Sequence, residues 1–135
     1  PHVAKAAKPF SKVMVAWNGS REAARSTFDA LPFLKKADEV EIFSVNPRES
    51  ADEDSGLSGA EIAATLARHG INVVATTAHA DKAKAGEIIE NRLSDNSVDL
   101  LVMGAYTHSR LWELLFGGVT RTLLGSMTAA TLMSR

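Results

Sequence analysis

Residues 98–120 read VDLLVMGAYTHSRLWELLFGGVT, an apolar run that enters a glycine, a polar loop and then a second pair of glycines. Val98, Leu100, Leu101, Val102 and Met103 are apolar without alternation, the pattern of a strand covered on both faces, as in a parallel sheet. Gly104 reads as the sharp turn at the carboxyl end of that strand. Gly117 and Gly118 precede Val119 and Thr120 at a helix start, where unpaired backbone N–H groups and the positive end of the helix dipole suit an anion. The stretch thus predicts a phosphate cradle at the end of an α/β strand.

Outward from it, strand and helix patterns alternate. Residues 12–17 (KVMVAW) predict a buried strand and Asn18-Gly19-Ser20 a turn with Ser20 as N-cap. Ala23, Ala24, Thr27, Phe28 and Leu31 then share one helical face. A second strand is expected over 39–45 (EVEIFSV), ended by Asn46-Pro47, with an acidic, Ser-rich loop from Arg48 to Ser58. A helix from Gly59 or Ala60 to Arg68 carries Ile62 and Leu66 inward and stops at His69-Gly70. A third strand covers 71–77, and Asp81 caps a helix to about Leu93 with Ile88, Ile89 and Leu93 inward. The fourth strand is 99–104, and a final helix and a short strand near 131–133 close the chain. Repeated β-turn-α units with buried strands predict an α/β fold, an open parallel sheet with helices on both faces and right-handed crossovers.

With 135 residues, 45% hydrophobic content and a net charge of -1, the chain is expected to form one globular domain. Its 15 Lys and Arg are matched by 16 Asp and Glu and are scattered, which argues against nucleic acid as a partner. No apolar run approaches the roughly 20 residues of a spanning helix, and PHVAKAAKPF lacks the apolar core of a signal peptide, so no membrane partner is expected. The absence of cysteine excludes disulfides and thiolate metal sites and leads to an expected cytoplasmic location. The Ala/Lys-rich residues 1–10 read as a linker or tail, as if cut from a longer chain, with the domain at 11–135.

Plainer readings stand beside the cradle. Gly104 and Gly117 serve equally to close a strand and start a helix. His108, Ser109, Ser20 and Asp99 suggest a hydrolase triad on paper, but Asp99 precedes its strand, at the opposite end from Gly104. His2, His69 and His79 lack ligand spacing, so no metal ligand is assigned. Trp112, Leu114, Leu115 and Phe116 suit either a core or a partner surface. Gly-x-x-x-x-Gly-Lys is absent, and no residue is assigned as catalytic.

VAWNGSREAAR, EVEIFSV, ARHGINV and, above all, DLLVMGAYTHSRLWELLFGGVTRTLL followed by LMSR resemble a universal stress protein domain from Phe10 onward, similar to the C-terminal domain of a tandem member. The resemblance implies a five-stranded parallel sheet of order 3-2-1-4-5, like that of the adenine nucleotide α-hydrolases. It also implies a bound cofactor, ATP or another adenine nucleotide, with or without Mg²⁺. ATP-binding members carry Gly-x-x-Gly, nine residues, then Gly with Ser or Thr. Here Gly104 and Gly117 fit, Thr107 replaces the second glycine, Gly118 the Ser or Thr, and Asn18 an Asp. Carried over residue by residue, Ala16, Asn18 and Val40 would flank the base, and Met103 and Gly104 would support the sugar and first phosphate. Gly117, Gly118 and Val119 would meet the outer phosphates, while Thr107, His108 and Arg110 lie on the loop above them, where Arg110 supplies a fork of donors.

The resemblance implies a stress-response domain whose nucleotide binding is weak or lost and which acts by dimerising. The pairing would run through the last strand, as a homodimer or with a second like domain. Small residues at Ala129-Ala130-Thr131 weaken that edge. The competing reading is an interaction module with no nucleotide, and a slow ATPase comes third.

Overall fold

In the computed structural model, which describes residues 9–45, 57–79, 85–104 and 129–134, the apolar runs become five parallel strands. They are β1 (Lys12–Ala16), β2 (Glu39–Val45), β3 (Val73–Ala78), β4 (Leu100–Gly104) and β5 (Ala130–Ser134), in the order β3-β2-β1-β4-β5. The helices are α1 (Arg21–Asp29), α2 (Leu31–Lys36), α3 (Gly59–Arg68) and α4 (Ala85–Asp95). The expected order and the expected helices on both faces are therefore observed.

Period-two geometry explains why β1 from Val13 onward and β4 are apolar. Val13, Val15, Trp17, Val40, Ile42, Leu100 and Val102 are buried in one cluster with Ala23, Leu34, Ile62 and Leu66 from α1, α2 and α3. Met14, Ala16, Phe43, Leu101 and Met103 are buried in a second cluster, with Ile89 and Leu93 from α4. The change of helix face falls where the chain passes from β3 over to β4, on the far side of β1. That reversal places a topological switch point at the carboxyl ends of β1 and β4.

Some local expectations are corrected. The first helical pattern divides: α1 ends at Asp29 with Ala30 as its C-cap, and α2 begins at Leu31 with Pro32, which fits only a first helical turn. Phe28 is 45% exposed, so it belongs to the outer surface and not to the packed face. β3 begins at Val73, two residues later than expected, because Ile71 is buried and its N–H donates to Leu66 O behind the C-terminus of α3. Asp81, the expected cap of α4, lies outside the described residues, as do residues 105–128 with the expected final helix.

The amino ends of the strands are tied down. Asp99 Oδ2 accepts the N–H groups of Ser11 and Lys12, both at 2.9 Å, while Asp99 N–H donates to Lys12 O at 2.8 Å. On the α4 face, Arg92 grips Glu41 through Nε and Nη2 at 2.6 and 2.8 Å and lies 4.9 Å above the Phe43 ring. The hydrogen bond to Glu41 is the main reason the guanidinium pKa is raised, with the nearby carboxylate charges adding to it against partial desolvation.

Candidate site at the carboxyl ends of the strands

At this end the backbone stops pairing and begins to turn. Trp17 N–H donates to Phe43 O at 2.9 Å, the last rung between β1 and β2, and the buried indole donates through Nε1 to Leu57 O at 2.8 Å. Asn18 Oδ1 then accepts the Ser20 N–H at 3.0 Å, Gly19 takes φ +77°, and Ser20 caps α1 by accepting the Ala23 N–H at 3.1 Å. An Asx turn followed by a left-handed glycine and a serine cap is a complete local recipe for leaving a strand and starting a helix.

Ala16 and Met103, 4% and 2% exposed, lie in the same cluster, on the α4 face. Half-buried Val45 packs against that cluster. Ala16 and Met103 are thus core residues, and of the three only Val45 is partly accessible near the polar Asn18 turn.

One of the expected site residues falls elsewhere. Val40 pairs with Val13, whereas Ala16 pairs with Phe43, so Val40 sits three residues, about 10 Å, toward the amino end. It is 1% exposed in the opposite core, which removes it from a crevice at the carboxyl ends. Val45, two residues past the Ala16–Phe43 pair, is the β2 residue at the level of Asn18. The signal was present in EVEIFSV as its last apolar residue before Asn46-Pro47 in the sequence.

Gly104 is at the crevice, but its conformation is not a turn. It is still paired with Ser134, and its φ is not positive. A Cβ there would lie 2.8 Å from Ala23 N and 2.8 Å from Glu22 Cβ. Glycine is required because the first turn of α1 rests directly on β4. Thr107, His108, Arg110, Gly117, Gly118 and Val119 lie outside the described residues.

The hydrolase triad has no geometry: Ser20 caps α1 at the carboxyl ends, while Asp99 is spent on β1 backbone at the amino ends. A cavity of about 330 Å³ does occur at those amino ends, lined in part by Lys12, Glu39, Glu41, Arg92 and Asn96. Its charges pair with one another, Lys12 with Glu39 at 3.8 Å and Arg92 with Glu41 at 2.6 Å, which leaves little for a ligand to satisfy. The carboxyl end, with its exposed Asn18 turn at the switch point, is the better candidate site.

Comparison with known proteins decides the lineage. The model of the universal stress protein family matches residues 9–135. This chain belongs to the universal stress protein family. A search of curated proteins found no significant match. A universal stress protein family structure from Burkholderia pseudomallei is similar at 20% identity and TM-score 0.62, covering 95% of this chain and 98% of its own. A universal stress protein in complex with cAMP is similar at 15% identity and TM-score 0.58, with 95% and 99% covered. An Arabidopsis thaliana family member with AMP bound follows at 15% identity and TM-score 0.53, with 93% and 92% covered. At these identities the likeness supports the universal stress protein fold of the chain, and the ligands are those of the relatives. No helix among the described residues is long and apolar enough to cross a membrane.

Proposed function

We propose that this universal stress protein domain binds a purine nucleotide, with or without Mg²⁺, at the carboxyl ends of β1 and β4, and signals by pairing with a like domain. The support for the reading is the switch point of the sheet, where the exposed Asn18 turn and half-buried Val45 lie past the last pairing of β1 with β2. Val45 suits the flat face of a base, and the polar turn suits its edge or the sugar. The cAMP and AMP held by two structural relatives support an adenine nucleotide as the first ligand to try. The sequence departures at Thr107, Gly118 and Asn18 support weak binding.

Pairing through β5 is supported by the bareness of that strand: Ala130, Thr131 and Met133 are exposed, and β4 is its one partner among the described residues. Turnover is not part of the proposal, because no base or acidic pair converges on the described part of the crevice.

Calorimetric titration with ATP and Mg²⁺, together with light scattering for mass, tests both parts. Saturable heat at micromolar to low millimolar ATP and a dimer mass are expected. Absence of heat would overturn the nucleotide reading, and a monomer mass at all concentrations would overturn the pairing.

A further inference from the structure

Asn18 alone among the asparagines of the chain precedes a glycine, and the fold holds that pair in a reactive arrangement. Asn18 is exposed and its Oδ1 accepts the Ser20 N–H at 3.0 Å, so the side chain folds back over its own peptide bond in an Asx turn. The fold-back brings Cγ toward Gly19 N, the atom that would close a succinimide ring with Cγ, Cβ, Cα and the Asn18 carbonyl carbon. Gly19 has no Cβ to obstruct that closure, holds φ +77°, and its N–H donates to no acceptor among the described residues. The Ser20 N–H also addresses the oxygen on which charge develops when Cγ is attacked, as a donor in an oxyanion hole does. Asn72 is the contrast: its Nδ2 is tied to Asp38 O at 2.8 Å, and β-branched Val73 follows it.

We propose that Asn18–Gly19 is a self-modification site, at which the folded turn promotes deamidation of Asn18. Gly19 N gives its proton to water and bonds to Cγ. The Cγ–Nδ2 bond then breaks, and Nδ2 takes up a proton from water and leaves as ammonia, so that a succinimide remains. Water adds to Cγ of that ring, which restores the Gly19 peptide beside an aspartate, or to the Asn18 carbonyl carbon, which gives isoaspartate. Water is the one co-reactant, and nothing is oxidised or reduced. Either product places a carboxylate at the mouth of the crevice where a neutral amide stood, so the domain passes one way, with time, into a more acidic form. The aspartate product keeps the turn, since a carboxylate oxygen still accepts the Ser20 N–H.

The test is the rate of Asn18 conversion at mildly alkaline pH, read by ammonia release and by mass mapping of the site, in the folded chain and in the unstructured peptide of residues 16–25. The folded chain is expected to convert faster than the peptide, with Asn72 unchanged. Ser20→Pro removes the N–H that Oδ1 accepts and suits the Ser20 φ of -74°, while Ser20→Ala keeps that N–H and loses only the side-chain cap. With circular dichroism unchanged, Ser20→Pro should convert about tenfold more slowly than Ser20→Ala, the worth of one hydrogen bond to a developing charge. A folded chain that converts no faster than the peptide overturns the proposal, and that comparison needs no variant to fold. Conversion of Ser20→Pro as fast as that of Ser20→Ala overturns it as well.

Discussion

At Gly104 one added carbon has nowhere to go. The atoms it would meet belong to the backbone and Cβ of the first turn of α1, which cannot rotate aside as a long side chain would. Gly104→Ala is expected to destabilise the domain by about 2–3 kcal/mol, as overpacking of a tight helix–strand contact does. Urea denaturation would measure it, and a loss below about 0.5 kcal/mol would show that α1 can lift off β4 freely. Asp99 is a second residue with a structural task. Removing its carboxylate in Asp99→Ala leaves the Ser11 and Lys12 N–H groups without their acceptor and should cost about 1–3 kcal/mol in the same assay. These two positions mark how far a sequence speaks at this scale. That Gly104 mattered was legible from its place after an apolar strand, but the reason was not, because the helix that rests on it is 82 positions earlier, at Glu22. Val40 was misassigned for a related reason. Alternation alone says which residues share a face, and only the register with β1 says at which end of the strand each residue lies.

Among the elements, the best-read were those whose signals are local. β2 and α3 match their expected bounds, β2 because EVEIFSV is followed in the sequence by Asn46-Pro47, α3 because Ser58 and Glu61 form a capping box and Gly70 adopts φ +77°. Ser58 donates its N–H to Glu61 Oε2 at 2.7 Å and accepts the Glu61 N–H at 3.2 Å, and the first of these contacts is the main cause that lowers the Glu61 pKa. A carboxyl depressed in the folded state stabilises above its unfolded pKa and loses that contribution as pH falls through its folded pKa. Amide exchange, corrected for intrinsic rates, should therefore report fraying of the first turn of α3 at acid pH in wild type. In Glu61→Gln that acid-dependent step should be missing. The split of the first helical pattern into α1 and α2 was less legible, since one apolar periodicity runs through both. Least legible was the anchorage of β5. Ser26, fully buried on α1, holds its hydroxyl 2.8 Å from Met103 O and accepts the Ser134 N–H at 3.1 Å, while Ser134 Oγ donates to Asp29 at 2.5 Å. Ser26→Ala is expected to cost about 1–3 kcal/mol and to speed hydrogen exchange at the Ser134 amide more than at β2. Equal effects on both strands would contradict a local anchor.

Across the whole molecule, the two ends of the sheet are built differently. The amino ends are held by Asp99, by the Ser11–Asp38 hydrogen bond and by backbone bonds from Asp38 and Glu39 to Ser11, all of which serve stability. The carboxyl ends carry the exposed Asn18 amide and half-buried Val45, and the sheet order changes direction there. The order 3-2-1-4-5 was legible only through the family resemblance, because periodicity finds strands but does not rank them in space. At this scale β5 is an outer strand with Met133 38% exposed. On the proposed pairing through β5, the double variant Thr131→Lys, Met133→Lys places charge along that strand and is expected to sediment as a monomer in analytical ultracentrifugation where wild type sediments as a dimer, with little change in secondary structure. A dimer that survives would place the pairing on another surface.

The most direct measurement for the account is a nitrogen-15 chemical-shift titration of the domain with ATP. Saturable shifts are predicted for the amides of Trp17, Asn18, Gly19, Val45, Met103 and Gly104, with Lys12, Val40 and Asp99 unmoved. Shifts confined to the amino ends of the strands, or none at millimolar nucleotide, would contradict a nucleotide site at the carboxyl ends.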